Sequence, residues 1–317
     1  MHEFQNKWLN IRESVDRNSR NKKILFLINK FYKNKKNIRI IDLGSGTGSN
    51  YRFLKSRLSN NQYWSFVDIS YQSTNFFKKN IKYSSKIKKT NFMIVDVINN
   101  LNKISFSDYN LVTGSAFLDI LPNKWFKNFH KLNIDTEIVY FALNYNGIFK
   151  FFPRHKDDKK ILEIFNKDQK SDKGIGEVAV GPDCSKIINK VFKKTHKTYV
   201  LDSTWDVNKN YEFQIYFLNF CKDIIQKNNL NLDHWLEFRI KSIKKVFKRT
   251  HKTYVLDSTW DVSKNYEFQI YFLNFCKEII QKNKLNLDHW IEFRLKSIKE
   301  KNSRFILNNT DFLAIKK

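Results

Sequence analysis

The chain has 317 residues, enough for one large domain or two small ones, and 41% of them are hydrophobic, enough for a sizeable core. Its formal charge of +27 admits a polyanion partner, but Lys, Asn, Ile, Phe and Tyr are abundant together and share A/T-rich codons, so codon bias is a second source of that charge. No apolar run approaches the roughly 20 residues of a membrane span, and Cys184, Cys221 and Cys276 show neither metal-ligand spacing nor a disulfide framework, which makes a reducing cytoplasm the expected setting.

In chain order, residues 1–30 read as helical. Trp8, Leu9, Arg12, Val15 and Asp16 recur at helical spacing, and Ile24, Leu27 and Ile28 form a second stripe. Nine basic residues and no acid lie between Arg17 and Arg39. Next come Ile38, Ile40 and Ile41, a buried-strand pattern, followed by Gly44, Gly46 and Gly48 at alternate positions. Tyr51, Leu54 and Leu58 then make a helical stripe. Strand, glycine turn and helix form the local geometry of a nucleotide-type site, because glycine lets a ligand lie against bare backbone and the helix start offers free amides. A phosphate-loop reading fails because no Lys-Ser or Lys-Thr follows the glycines. The dinucleotide fingerprint fails because Ser49 occupies the third glycine position. Asp42 would repel a pyrophosphate and suits a ligand bearing an ammonium or sulfonium charge.

The run Ile41-Asp42-Leu43-Gly44-Ser45-Gly46-Thr47-Gly48 closely resembles motif I of the class I S-adenosylmethionine-dependent methyltransferases. The resemblance covers roughly residues 38–147 by motif and the rest by element order. It implies an α/β fold, a doubly wound, mostly parallel, seven-stranded Rossmann-like sheet, with S-adenosylmethionine as cofactor and methyl donor. Gly44, Gly46 and Gly48 would face its methionine part, and Asp42 and Ser45 are further cofactor-binding candidates. A helix before motif I commonly covers the cofactor in such folds, which makes Arg12 and Glu13 contact candidates; the plainer reading of both is a solvated helix charge.

Tyr63–Asp68 reads as a second strand ending in an acid. Asp68 lies 24 residues after Gly44, the spacing of adjacent parallel strands joined by a helix, so its carboxylate emerges beside the glycine turn and suits ribose hydroxyls. It also resembles the acid of motif II. Phe76–Ile87 reads as a lysine-rich helix, and Lys78–Lys89 contributes six lysines. Asn91–Val97 reads as a third strand, and the resemblance assigns Asp96 or its neighbour Val97 to the adenine amino group, which a carboxylate accepts well.

The fourth strand is read at Asp108–Ala116, with Phe117–Leu121 turning into the next helix. The Asn/Asp-Pro-Pro-aromatic and Pro-Cys signatures of base methylation are absent at Gly114-Ser115-Ala116-Phe117. Asp119 is the candidate catalytic base; the alternative reading is an acid at a helix N-terminus. Thr136–Leu143 reads as a fifth strand, Asn144-Tyr145-Asn146-Gly147 as a hairpin-type turn, and Ile148–Phe152 as the returning strand. Asn144 and Tyr145 are substrate-side candidates by position. So are Asp172 and Lys173, in a polar, glycine-punctuated loop over residues 168–176.

Lys190–Lys244 then repeats as Lys245–Lys299, a period of 55 residues with six differences, all mild. Each copy reads as a strand and two amphipathic helices. One sixth-strand position is available, so one copy is expected to dock in the sheet and the other to be appended. The tail Ser303–Lys317 holds the closing strand. Trp205, Trp235 and their copies read as packing anchors, and His196 and His234 lack partners at metal-ligand spacing, so no metal is assigned.

The expected organisation is a helical cover over 1–37, a cofactor-binding core over 38–189, copies at 190–244 and 245–299, and a closing strand over 300–317. The expected activity is methyl transfer from S-adenosylmethionine to an O, N or C nucleophile of a small molecule. The alternatives are an RNA- or protein-directed enzyme using the basic surface and a non-catalytic cofactor- or RNA-binding module.

Overall fold

The computed structural model describes residues 12–174, 176–207, 211–250 and 304–316. A helix over 12–19 (α1) is followed by Lys22–Phe31 (α2). The break falls at Arg20-Asn21, where the Asn21 side chain caps α2 by accepting from the Lys23 amide at 3.0 Å. The N-terminal part is therefore two helices among its described residues; Trp8 and Leu9 lie outside them.

The strands are β1 (Asn37–Leu43), β2 (Asn61–Asp68), β3 (Ile87–Ile94), β4 (Leu111–Ser115), β5 (Ile138–Phe152), β6 (His196–Asp202), the short β7 (Trp205–Asp206) and β8 (Arg304–Lys316). Between them run α3 (Ser49–Leu54), α4 (Tyr71–Asn80), α5 (Asn123–Leu132), α6 (Asp158–Gln169) and α7 (Cys184–Phe192), with α8 (Tyr211–Lys227) and α9 (Asp233–Thr250) between β7 and β8. The sheet order is β3-β2-β1-β4-β5-β8-β6, with β7 pairing β8. The pairs β1–β2, β1–β4, β2–β3 and β4–β5 are parallel, while β6 and β7 run antiparallel to β8. The fold is thus an α/β, mostly parallel, doubly wound sheet of seven side-by-side strands with the small β7 added. Both faces of its centre are dry: Ile38, Ile40, Ile41, Leu43, Leu111, Val112 and Ile138–Ala142 are buried.

Two compact units divide the described residues. The first runs up to Lys150 and continues through Lys156–Asp206 and from Ile306 onward; the second takes Phe151–His155 and the described part of Val207–Phe305. In the second, Trp235 meets Phe151 edge-on at 5.4 Å. The buried Arg239 guanidinium lies 4.8 Å from the Phe151 ring and donates to the Pro153 carbonyl. Trp205 and Trp235 are both core residues.

Three sequence expectations change. The helix expected at Phe76–Ile87 is α4, over Tyr71–Asn80, because Ser70 caps it by accepting from the Ser73 amide at 3.2 Å and Ile81 is already extended. The hairpin expected at Asn144–Gly147 does not form: β5 runs unbroken through it. A two-residue hairpin of the Asn-Gly type needs positive φ at both central residues, and here only Gly147 has it, at 88°. The reason for glycine there is closeness, since a Cβ would stand 2.9 Å from Pro182. The third strand ends at Ile94, so Asp96 lies in the turn beyond it.

The β6 strand belongs to the first repeat copy and pairs with the tail, His196 opposite Lys316 and Asp202 opposite Thr310. Residues 251–299 of the second copy lie outside the described residues. Its opening, Lys245-Val246-Phe247, is helical within α9, as the matching Lys190-Val191-Phe192 is within α7.

Candidate cofactor and substrate site

Strand order dictates where a ligand can sit. From β1 the sheet grows outward through β2 and β3, then the chain returns to place β4 on the other side of β1. The connections diverge above β1 and β4 and leave a crevice at their carboxyl ends. The glycine turn follows β1 and Ser115-Ala116-Phe117 follows β4, so both flank it. Gly44 is there because of contact: with φ at 64°, a Cβ on it would stand 2.7 Å from the Phe117 ring. Gly48 caps α3 with φ at 86°, and a Cβ there would run into the Phe77 ring. The Ser45 amide donates to the Val67 carbonyl at 3.0 Å, which ties the turn to β2.

Asp68 is aligned by two backbone amides: Gly46 donates to Oδ2 at 2.7 Å and Ser70 to Oδ1 at 2.8 Å. Asp96 caps its own turn, Oδ1 accepting from the Ile98 amide at 2.9 Å and Oδ2 from the Asn99 side chain at 2.8 Å. Burial alone would raise its carboxyl, but these bonds outweigh it and hold Asp96 below the usual range. Val97, next in line, is buried, and its carbonyl accepts from Trp125 Nε1 at 2.8 Å.

Asp42 is fully buried. Oδ1 accepts from Asn50 Nδ2 at 2.7 Å, while Oδ2 has no hydrogen-bond partner among the described residues. Burial pushes its carboxyl up to about 7; Asn50 and Arg20 pull it down and Asp68 pushes it further up. Asp42, Gly44, Ser45, Gly46, Gly48, Asp68 and Asp96 therefore share one edge of the sheet.

Asp119 lies in the 3-10 turn Leu118–Ile120, two residues past Phe117. Its Oδ1 is buried without a hydrogen-bond partner among the described residues, and burial raises its carboxyl despite Arg12 and Lys173 nearby. The loop after α6 reaches this turn: Val180 donates to the Leu121 carbonyl at 2.9 Å, and Pro122 bridges Ala179. Lys173 itself is held by Asp168, 2.6 Å to the carbonyl and 3.0 Å to Oδ2. Asp172 accepts from the Gly174 and Gly176 amides at 2.9 and 3.1 Å, which shapes the loop. Asn144 and Tyr145 are buried inside β5; Asn144 donates to the Phe141 carbonyl at 2.9 Å and Tyr145 to Asn166 at 2.7 Å. These bonds serve the scaffold. Glu13 is no solvated charge: it forms a two-pronged pair with Arg52 at 2.7 and 2.6 Å. Arg12 is engaged too, by Asp16 at 2.9 Å.

The sequence reading missed four groups. Arg20, Asn50, Tyr140 and Asp311 make a buried polar network at the ends of β1, β4 and β5. Asp311 accepts from the Leu143 amide at 2.7 Å, the Asn21 amide at 3.0 Å and Tyr140 at 3.2 Å. Ala116 and Leu143 adopt positive φ, 49° and 57°, the first just past β4 and the second inside β5 beyond its pairing with β4, a strain that clusters at working sites. Ile69, 67% exposed beside Asp68, was also missed, although its place after a strand-end acid could have flagged it.

No family model matches the chain, and no curated protein matches it in sequence. Among solved structures, it is similar to the YcgJ protein of Bacillus subtilis, with 10% identity over 94% of this chain and 99% of that one and a TM-score of 0.44. It is similar to the cyclopropane synthase MmaA2 of Mycobacterium tuberculosis at 8% identity, 92% and 82% coverage and a TM-score of 0.42. It is also similar to phosphoethanolamine N-methyltransferase 2 of Haemonchus contortus at 12% identity, 93% coverage of this chain and a TM-score of 0.38, and it spans 52% of that protein's length.

Proposed function

We propose that the chain is a class I S-adenosylmethionine-dependent methyltransferase acting on a small molecule. One observation carries the reading: the Asp42–Gly48 turn, Asp68 and Asp96 stand on the ends of three adjacent parallel strands at the point where the winding reverses. That arrangement supports a ligand with a cationic end, a vicinal diol and a base carrying an amino group. Asp68 keeps lone pairs for two ribose hydroxyls once the Gly46 and Ser70 amides have fixed its plane. Ile69 offers an exposed apolar surface to the base, and Asp96 accepts from its amino group. Asp42 answers the positive charge of the methionine end. The bound cofactor supplies an electrophilic methyl group on a sulfonium, so positioning of the acceptor supplies much of the acceleration. Asp119, with a raised carboxyl and an unpartnered oxygen, receives a proton where the acceptor must lose one.

Calorimetry with S-adenosylmethionine tests the binding. Labelled-methyl transfer into cell extract, separated into small molecules, lipid, RNA and protein, tests the acceptor. Label in the small-molecule fraction is expected. A second reading, an RNA-directed enzyme, draws on the acid-free run between Asp68 and Asp96, where Lys78, Lys79, Lys82, Lys88 and Lys89 are exposed. Steep loss of transfer with salt and label in RNA would favour it. Binding without any transfer would favour a non-catalytic module. Deletion of Lys245–Lys299 is expected to spare transfer, because the first copy supplies β6; loss of transfer would assign the second copy a role.

A further inference from the structure

We infer that Arg20 is the positioning residue of the cofactor site, fixing through Asn50 the orientation and charge of Asp42. The inference rests on the reading that a cationic adenosyl ligand binds beside Asp42. Arg20 sits at the joint between α1 and α2, 5% exposed, with its guanidinium 4.5 Å over the Phe53 ring. Nη1 donates to Asn50 Oδ1 at 2.6 Å and Nη2 to Ser115 Oγ at 2.9 Å. The first bond decides which way the Asn50 amide faces. An arginine cannot accept, so the Asn50 oxygen must turn toward it and the NH2 must turn away. The NH2 group then reaches Asp42 Oδ1 at 2.7 Å and Thr113 Oγ1 at 3.2 Å.

The consequence is a carboxylate with one oxygen locked and the other, Oδ2, left as acceptor in a dry site. Without Arg20 the amide gains freedom to present its own oxygen to Asp42, which repels the charged form. Charge acts in the same direction. Arg20 favours ionised Asp42, while Asp68 opposes it from β2. Glu13 and Asp16 of α1, Asp311 of β8 and Arg57 beyond α3 also lie in the field of Arg20. Arg20 thus favours the anionic form of Asp42, against the burial that raises its carboxyl, for a ligand that needs an anion.

The test is equilibrium dialysis of labelled S-adenosylmethionine against the full chain across pH, for wild type, Arg20→Gln, Arg20→Lys and Asn50→Ala. Affinity in wild type is expected to fall as pH drops and Asp42 takes up a proton. In Arg20→Gln that fall should begin at least about one pH unit higher, with roughly tenfold weaker binding near neutrality and recovery in alkali. Arg20→Lys, which keeps charge but not the fork, should fall between. An unchanged pH midpoint in Arg20→Gln, even with a lower thermal midpoint, overturns the inference and leaves Arg20 a structural role. Where Arg20→Gln shows no cooperative unfolding, Asn50→Ala decides by the same midpoint, since it breaks the relay with Arg20 in place. Wild type that binds no cofactor at any pH refutes the functional reading itself.

Discussion

The two halves of the sheet's carboxyl edge are built by different means. On the β1–β3 side, Asp68 and Asp96 are held mainly by turn backbone: Asp68 by Ser70 two residues on and by Gly46 of the adjacent glycine turn, Asp96 by Ile98 and Asn99. On the β4–β5 side, polar groups are held by residues far away in the chain, with Asn21 and Leu143 both donating to Asp311, 290 and 168 positions off. Local turns place a group by backbone geometry and leave it facing the crevice. The long-range network buries its members and makes the site depend on both ends of the chain meeting.

The largest effect is expected where the local half meets the ligand. On the proposed function, Asp68→Ala removes a charged acceptor for two ribose hydroxyls, at about 1.5–3 kcal/mol each. Cofactor affinity should fall by at least ~100-fold while the thermal midpoint moves little. A large drop in the midpoint with unchanged affinity would reverse the roles of the two halves.

Next comes Asp311→Ala, which strands two buried donors, the Leu143 amide and the Tyr140 hydroxyl, at about 1–3 kcal/mol each, and a part-buried third, the Asn21 amide. Denaturant unfolding should show a loss of at least ~3 kcal/mol. A loss below ~1 kcal/mol would mean that the chain ends are not held together through this carboxylate. A third prediction concerns pH. His196 Nε2 faces the Thr136 carbonyl at 2.9 Å and donates to it, while Nδ1 lies 2.8 Å from the Thr195 hydroxyl. Burial lowers its pKa. A lowered histidine binds fewer protons folded than unfolded, so its contribution is complete well above about 6.5 and is lost as pH falls below that value toward the folded pKa. Thermal midpoints should therefore decline over that interval, and His196→Gln should flatten the slope. An identical slope in the variant would place the acid sensitivity elsewhere. The smallest effect is expected for Glu13→Gln, which breaks a half-buried pair with Arg52 and should cost about 1 kcal/mol or less by denaturant titration. A loss of several kcal/mol would show that α1 is held to α3 mainly by this pair.

The same contrast explains what was legible in the sequence. The glycine turn, Asp68 and Asp96 announce themselves by spacing, because strand length and turn geometry operate over a few residues. The alternation of strands and helices was legible, and the strands expected sixth and seventh in the chain, from the first copy and the tail, both join the sheet, β8 lying between β5 and β6. Asn146-Gly147 misled because the chain stays extended through this good hairpin dipeptide, β5 continuing to Phe152. The lysines of 78–89 misled because helical spacing continued past the point where Ile81 turns extended. Arg20, Asn50 and Asp311 were illegible for a different reason. A buried network has no period, and each member looks like a surface residue until its partners arrive from elsewhere in the chain.

The most direct test of the account is calorimetric titration of the full-length protein with S-adenosylmethionine, with Asp68→Ala alongside. Saturable heat at one site per chain in wild type, abolished in Asp68→Ala, is the predicted result. No heat from correctly folded wild-type protein at any pH tested, or equal heat from the two proteins, would contradict an adenosyl site at the ends of β1, β2 and β3.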